Sequence, residues 1–262
     1  MRSWGIFLLV GLLVFGVGCA KVDDEAEIEA LIDTLEELVL DYGGQETGDV
    51  KDAITPVAWW RELLQHHRTV DIEMFQGESA YVTITHDITA QLHIVTVDSV
   101  NVDKDINDVG VRYAVFKKDT VEGYHGGWRL VGLSPVEIEC DNGSTVDIDS
   151  VVIEVAGERV YALSDPTVII GKEGILELPP STDVAVRVYT TPDTVLAFLH
   201  TFRRRWRFQM SEPGVYEGVW TTPDSARIYR VGVDLMTRET LLDDVEPYDS
   251  KAWIMPYRVV VE

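Results

Sequence analysis

The residues of this 262-residue chain best suited to chemistry are one histidine, a tyrosine that could join it, and one row of arginines. His86 falls inside the alternating run Tyr81 to Val95, on the same face as Val82, Ile84, Ile88, Ala90, Leu92 and Ile94. A histidine held on an apolar face can be tuned as a general acid or base near neutral pH. It can equally be a core residue satisfied by a backbone carbonyl. Asp87 is next in sequence, but strand geometry turns it to the opposite face, so the two form no side-by-side dyad. Tyr113 is the candidate partner for His86, with Tyr81 as another. The second constellation is Phe202-Arg-Arg-Arg-Trp-Arg-Phe208. Read as a strand, it places Arg203, Arg205 and Arg207 on one face and Arg204 and Trp206 on the other. Such a row, with Trp206 free for stacking, suits a phosphorylated or acidic glycan. The same arginines could instead pair with carboxylates of neighbouring strands or of an acidic first domain.

Two further features carry less. Asp103, Asp105, Asn107 and Asp108 faintly resemble a calcium loop, which wants Gly at its sixth position and a carboxylate at its twelfth. Asp108 and Ala114 occupy those positions, so a solvated hairpin tip is expected and no metal. Cys140 is flanked by Glu137, Glu139 and Asp141, and negative neighbours oppose thiolate formation. It reads as a structural cysteine. The chain contains no phosphate loop, dinucleotide glycine fingerprint, zincin helix motif or nucleophile elbow, and no cofactor is implied.

A formal charge of −23 argues against nucleic acid as a partner and against a protein lying flat on an anionic membrane. It suits a self-repelling ectodomain held at one end. The apolar fraction of 46% supports a buried core, and the length is enough for two ordinary domains.

The tether is expected at the start of the chain. Arg2 precedes an uncharged run from Trp4 to Gly18, and Gly16-Val17-Gly18 leads directly into Cys19. The run is too short to span a bilayer. It resembles a bacterial lipoprotein signal, although Gly16 stands where Leu is usual. The resemblance implies removal of residues 1–18, lipidation of Cys19 and export to the cell envelope, with the bilayer as a partner through Cys19. Ala20 is not the Asp that retains some lipoproteins in the inner membrane, which points to the outer membrane where there is one. With Cys19 lipidated, Cys140 has no intramolecular disulfide partner.

These sites need elements to hold them. Asp23, Asp24 and Glu25 favour a helix start, and Ile28, Leu31, Ile32, Leu35, Leu38, Val39 and Tyr42 then recur at spacings of three and four until Gly43-Gly44. Trp59, Leu63 and Leu64 suggest a second helix over 56–67. Strands are expected over 81–95, 111–117 and 128–134. The helices, the pair Trp59-Trp60 and the closing Gly127-Trp-Arg-Leu-Val-Gly-Leu-Ser-Pro135 resemble the nuclear-transport-factor-like superfamily, which includes ketosteroid isomerases and polyketide cyclases. The resemblance implies an α+β cone over 19–140, with helices packed on a curved antiparallel sheet and an internal pocket. Its isomerases use an acidic base with a tyrosine or carboxylic acid partner, and that set has no residue-by-residue match here.

Asp141-Asn-Gly-Ser144 reads as a turn within a linker, 141–146. Beyond it, short β-rich runs separated by turn signals predict an all-β sandwich over 147–262. Asp224 to Asp234 resembles the penultimate strand of an immunoglobulin-like domain, which would make Tyr229 a corner tyrosine. Val231 stands where antibody domains carry a cysteine. The expected function is a non-catalytic, membrane-tethered binding or assembly module, with an envelope protein or glycan as a possible partner. The alternative is small-ligand binding or acid–base catalysis in the cone pocket around His86.

Overall fold

The computed structural model describes residues 23–36, 56–119, 124–191, 195–201 and 204–261. The expected signal segment, Cys19, the expected helix stop at Gly43-Gly44 and Arg203 lie outside the described residues. Among the described residues one helix, α1 (Asp24–Glu36), precedes three long strands: β1 (Pro56–Phe75), β2 (Ser79–Thr96) and β3 (Asn101–Lys118). They pair antiparallel in sequence order along most of their length. β4 (Trp128–Leu133) and β5 (Val136–Cys140) then pair with different stretches of β3.

The remaining strands build a sandwich. They are β6 (Ser150–Val155), β7 (Glu158–Leu163), β8 (Ile170–Gly171), β9 (Leu176–Leu178), β10 (Asp183–Tyr189), β11 (Val195–Thr201), β12 (Arg204–Arg207), β13 (Gln209–Glu212), β14 (Val215–Thr221), β15 (Ile228–Thr237) and β16 (Ser250–Val259). A one-turn helix, α2 (Arg238–Leu242), separates the last two, and the Thr237 hydroxyl caps it by accepting from the Thr240 amide. One five-stranded sheet runs β13-β14-β10-β6-β7. The other runs β1-β2-β3-β5-β16-β15-β11-β12, with β4, β8 and β9 attached.

That second path is decisive for the architecture. β16 pairs with β5, from Lys251 opposite Glu139 to Ile254 opposite Val136, so one sheet passes through both halves of the chain. It also curls back on itself. Trp59 of β1 packs edge-on against Phe198 of β11, with ring centres 5.2 Å apart. The central strands β11, β15 and β16 are therefore buried on both faces. Leu199, Val233 and Trp253 point into the sandwich core, while Phe198, Met236 and Ile254 meet Ile88, Leu92 and Ile106 of the meander. Double burial explains why β11 reads as a continuous apolar run. A third cluster joins Ile28 and Ile32 of α1 to Val82, Ile84, Phe116 and Trp128.

The α+β cone followed by an immunoglobulin-like sandwich is corrected by this arrangement. The described residues are mostly strand, with two helices of 13 and 5 residues, and no layer of helices covers the sheet. The expected helix over 56–67 is the first half of β1. A bulge at Leu64 sets Leu63 opposite Ala90 but Gln65 opposite Thr89. Trp59, Arg61 and Leu63 thus share a face with His66, Arg68 and Val70, which breaks the two-residue period and imitates helical spacing. The expected polar loop from Asp103 to Asp108 is likewise part of β3. The stretch between β5 and β6 contains the expected linker, 141–146, although the sheet bridges it.

Two local details fit the sandwich. The Tyr229 hydroxyl donates to the Ser225 carbonyl at 3.1 Å, tying the start of β15 to the turn before it. Phe208, between β12 and β13, carries the chain from one sheet to the other and lies directly over Gly218 of β14.

Candidate functional site: a cationic seam between meander and sandwich

The inward face of the meander is apolar at both ends and charged in the middle. Even-numbered positions of β2 and β3 face inward, as their alternating burial records. Towards α1 these are Val82, Ile84, Ala114 and Phe116; towards the sandwich they are Ile88, Ala90, Leu92 and Ile106. Between the two clusters lies a polar band formed by His66 and Arg68 of β1, His86 of β2 and Arg112 of β3. The register places it there, with Arg68 opposite His86, His66 opposite Ile88, and Ile84 opposite Arg112.

His86 is 1% exposed. Its Nδ1 lies 2.9 Å from His66 Nε2, and the rings stack 5.2 Å apart. One of these nitrogens must donate and the other accept. Burial, followed by the charges of His66, Arg112 and Arg68, pushes the His86 pKa down to about 4. The ring is neutral at neutral pH. Tyr113, its expected partner, is on the outward face of β3, where it stacks on Tyr81 at 5.8 Å. Asp87 is exposed on that same outward side. Neither converges on His86.

Arg112 is the more informative residue. It is 3% exposed, and among the described residues its guanidinium has neither a hydrogen-bond acceptor nor a carboxylate partner. Burial, with Arg230 nearby on β15, lowers its pKa to about 9. An isolated buried cation is expensive, because the lost hydration is not replaced. The neighbouring cations show how this is normally solved. Arg68 bonds Asp33 of α1 at 2.6 Å. Arg61 grips Asp234 through two hydrogen bonds of 2.7 and 3.1 Å.

Arg112 lines a cavity of about 220 Å³ where β4, β8, β15 and β16 meet. Leu130, Leu133, Ile170, Ile175, Ile228 and Pro256 make its apolar walls, and Lys172, Arg230 and Arg258 join Arg112 as its charged groups. Arg258 is bonded to Glu177 at 2.9 Å. Among the described residues no carboxylate lines this cavity, in a chain with 45 acidic residues against 22 basic ones. Low-dielectric walls strengthen the field that such a group of cations presents to an incoming anion.

The arginine row is dispersed. Arg205 is buried, with its Nη2 3.5 Å from Asp234 Oδ2 and its guanidinium 4.5 Å over the Trp59 ring. Arg207 is exposed. Trp206 is half-buried against the sandwich core and lines a second groove of about 550 Å³ with Trp220, Tyr229 and Tyr257. Asp103 bonds His93 at 2.7 Å, and Asp108 is buried beneath the Tyr248 hydroxyl. No group of three or more metal-ligating side chains occurs among the described residues. Cys140 is buried with its sulfur 3.7 Å from the Ser250 carbonyl. Burial above all pushes its thiol up to about 11, which keeps it protonated.

Arg68, Arg112 and Arg230 escape the reading of motifs, yet the signal that marks His86 marks Arg112 too. Each is a polar residue at a position whose neighbours two residues away are inward-facing. Comparison of the chain with protein-family models, with curated proteins and with solved structures returns no match.

Proposed function

We propose that this protein is a lipid-tethered envelope protein that acts as a binding module, with the cavity beside Arg112 as its ligand site. The observation that carries the reading is the buried guanidinium of Arg112, which has no counter-charge among the described residues and lines a largely apolar, partly open cavity. A protein gains nothing in stability from such a group. An anion that enters supplies the missing partner and strengthens its hold through the low dielectric around it. The neutral His86 ring, in contact with His66 at 2.9 Å, adds hydrogen-bonding capacity beside the site. Export and attachment rest on the lipoprotein-like segment ending at Cys19.

Two measurements test this reading. In bacterial cells grown with labelled palmitate, the wild-type chain takes up label and sediments with membranes, while Cys19→Ala does neither. The chain from Ala20 onward, examined by native and then denaturing mass spectrometry, carries a reproducible small mass that leaves on unfolding. A protein that sheds no such mass and is not stabilised by any small anion contradicts the ligand site.

A further inference from the structure

We infer that the cavity beside Arg112 selects a compact, single-headed oxyanion on an apolar body: a carboxylate or phosphate monoester carrying a short alkyl or branched chain. The inference rests on the binding reading above and specifies the chemistry of the ligand.

Three observations set that chemistry. The first is the depth of the charge. Arg112 is buried, whereas Leu130, Leu133, Ile170, Ile175, Pro256 and Arg230 are half-buried, and Ile228 and Lys172 are exposed. The anionic head therefore belongs at the inner end, against Arg112, with the body lying back along the aliphatic wall towards Ile228. A planar guanidinium presents paired N–H donors that match two oxygens of a carboxylate or phosphate. Hydroxyls and amines are poor matches: a neutral hydroxyl leaves the buried charge uncompensated, and an ammonium adds to it.

The second observation is the wall itself. Seven apolar residues, Val131 included, line the space, from four strands and the segments beside them. An inorganic anion would leave most of that surface facing water. A ligand with an apolar body buries it, each methylene strengthening binding about fourfold. Head and body must therefore belong to one molecule.

The third is size. A space of about 220 Å³ corresponds to roughly seven waters at about 30 Å³ each. Acetate underfills it, while a long acyl chain outruns the apolar wall and leaves its distal half in water. Binding is thus expected to rise along a carboxylate series, peak near eight carbons and level off or fall for sixteen.

The test is a titration of the chain from Ala20 onward, followed by calorimetry and by thermal unfolding. The probes are acetate, inorganic phosphate, octanoate, octyl phosphate, hexadecanoate, octanol and octylammonium. Octanoate, octyl phosphate or both should bind at least tenfold more tightly than octanol, octylammonium, acetate and inorganic phosphate. Which of the two binds better identifies the head. Arg112→Gln should weaken that binding at least tenfold, and Ile175→Trp, which fills the cavity and leaves every charge in place, should do the same. The second variant guards against misfolding of the first, and both are checked for the wild-type circular dichroism spectrum. Equal binding of octanol and octanoate overturns the role of the charge. Equal binding of inorganic phosphate and octyl phosphate overturns the role of the body. Release of a native small mass from a protein that binds none of the amphipathic anions rejects this ligand class and leaves the binding reading standing. Absence of both removes the two together.

Discussion

Arg61 on β1 and Asp234 on β15, 173 positions apart in the chain, form a two-pronged buried ion pair with contacts of 2.7 and 3.1 Å. Arg205 approaches the same carboxylate from β12, and the Tyr248 ring lies 5.3 Å from the Arg61 guanidinium. The pair pins the meander onto the outer face of the sandwich. Together with the β5–β16 ladder, it makes the two halves one mechanical unit.

Removing one partner should therefore be costly. Asp234→Ala leaves two arginines buried without their anion and is expected to destabilise the protein by about 3–5 kcal/mol. Replacing the trio together, as Arg61→Met, Asp234→Leu and Arg205→Met, should cost much less than Asp234→Ala alone. Urea unfolding followed by tryptophan fluorescence measures both. The shared sheet predicts a single transition for the wild type; two separated transitions would mean that the halves unfold independently.

Much of the sandwich is legible in the sequence, because strands such as β6 and β10 alternate cleanly and are bounded by turn residues. β1 is not, since the bulge at Leu64 brings residues three apart onto one face. The first half of β3 is hidden differently. Lys104 and Asp108 occupy inward positions, so the alternation is polar where an apolar pattern would be sought. Lys104 is satisfied there by donating to the Glu239 carbonyl at 2.8 Å, a partner 135 residues away. The β5–β16 pairing has no local signal at all, being set by long-range burial. Of the candidate site, His86 stands out as a polar residue on an apolar face. That Arg112 has no partner among the described residues is a property of the assembled seam.

Acid should weaken the fold through its buried histidines. Burial, then neighbouring cations, holds His86 down to about 4, and burial, then Arg205, holds His200 down to about 3. Below pH 6.5 the unfolded chain takes up protons that these rings refuse in the folded state. Stability is thus full above about pH 7, falls as pH drops through 6.5, and continues to fall until each ring protonates in the native protein. At pH 5.5 the loss is on the order of 1.4 kcal/mol per ring. Asp234 adds to the acid loss at lower pH. Burial opposes its ionisation, but Arg61 and Arg205 hold its pKa below the ordinary carboxylate value, so its contribution disappears as pH falls through that lowered value. Urea midpoints at pH 7.5, 6.5, 5.5 and 4.5 follow the effect, and His86→Gln should flatten the upper part of the curve.

The change of sheet at Phe208 depends on Gly218. A Cβ at position 218 would stand 1.9 Å from the Phe208 ring, which is itself buried in the sandwich core. Gly218→Ala should destabilise the protein by about 1–3 kcal/mol through overpacking. Pairing it with Phe208→Leu should recover part of that loss. Thermal unfolding of the two variants checks the coupling.

The most direct test of the central claim is the stability of Arg112→Met, measured by urea unfolding with and without a bound anion. A residue retained for a ligand, with no partner inside the protein, should be dispensable to the fold. The variant is expected to gain about 1–4 kcal/mol as the ligand-free protein, in line with exchanges of buried charged groups for apolar ones. It should also lose the extra stability that octanoate or octyl phosphate confers on the wild type. A loss of several kcal/mol in the ligand-free variant would mean that Arg112 already has its partner within the fold, and the cavity would no longer be a ligand site.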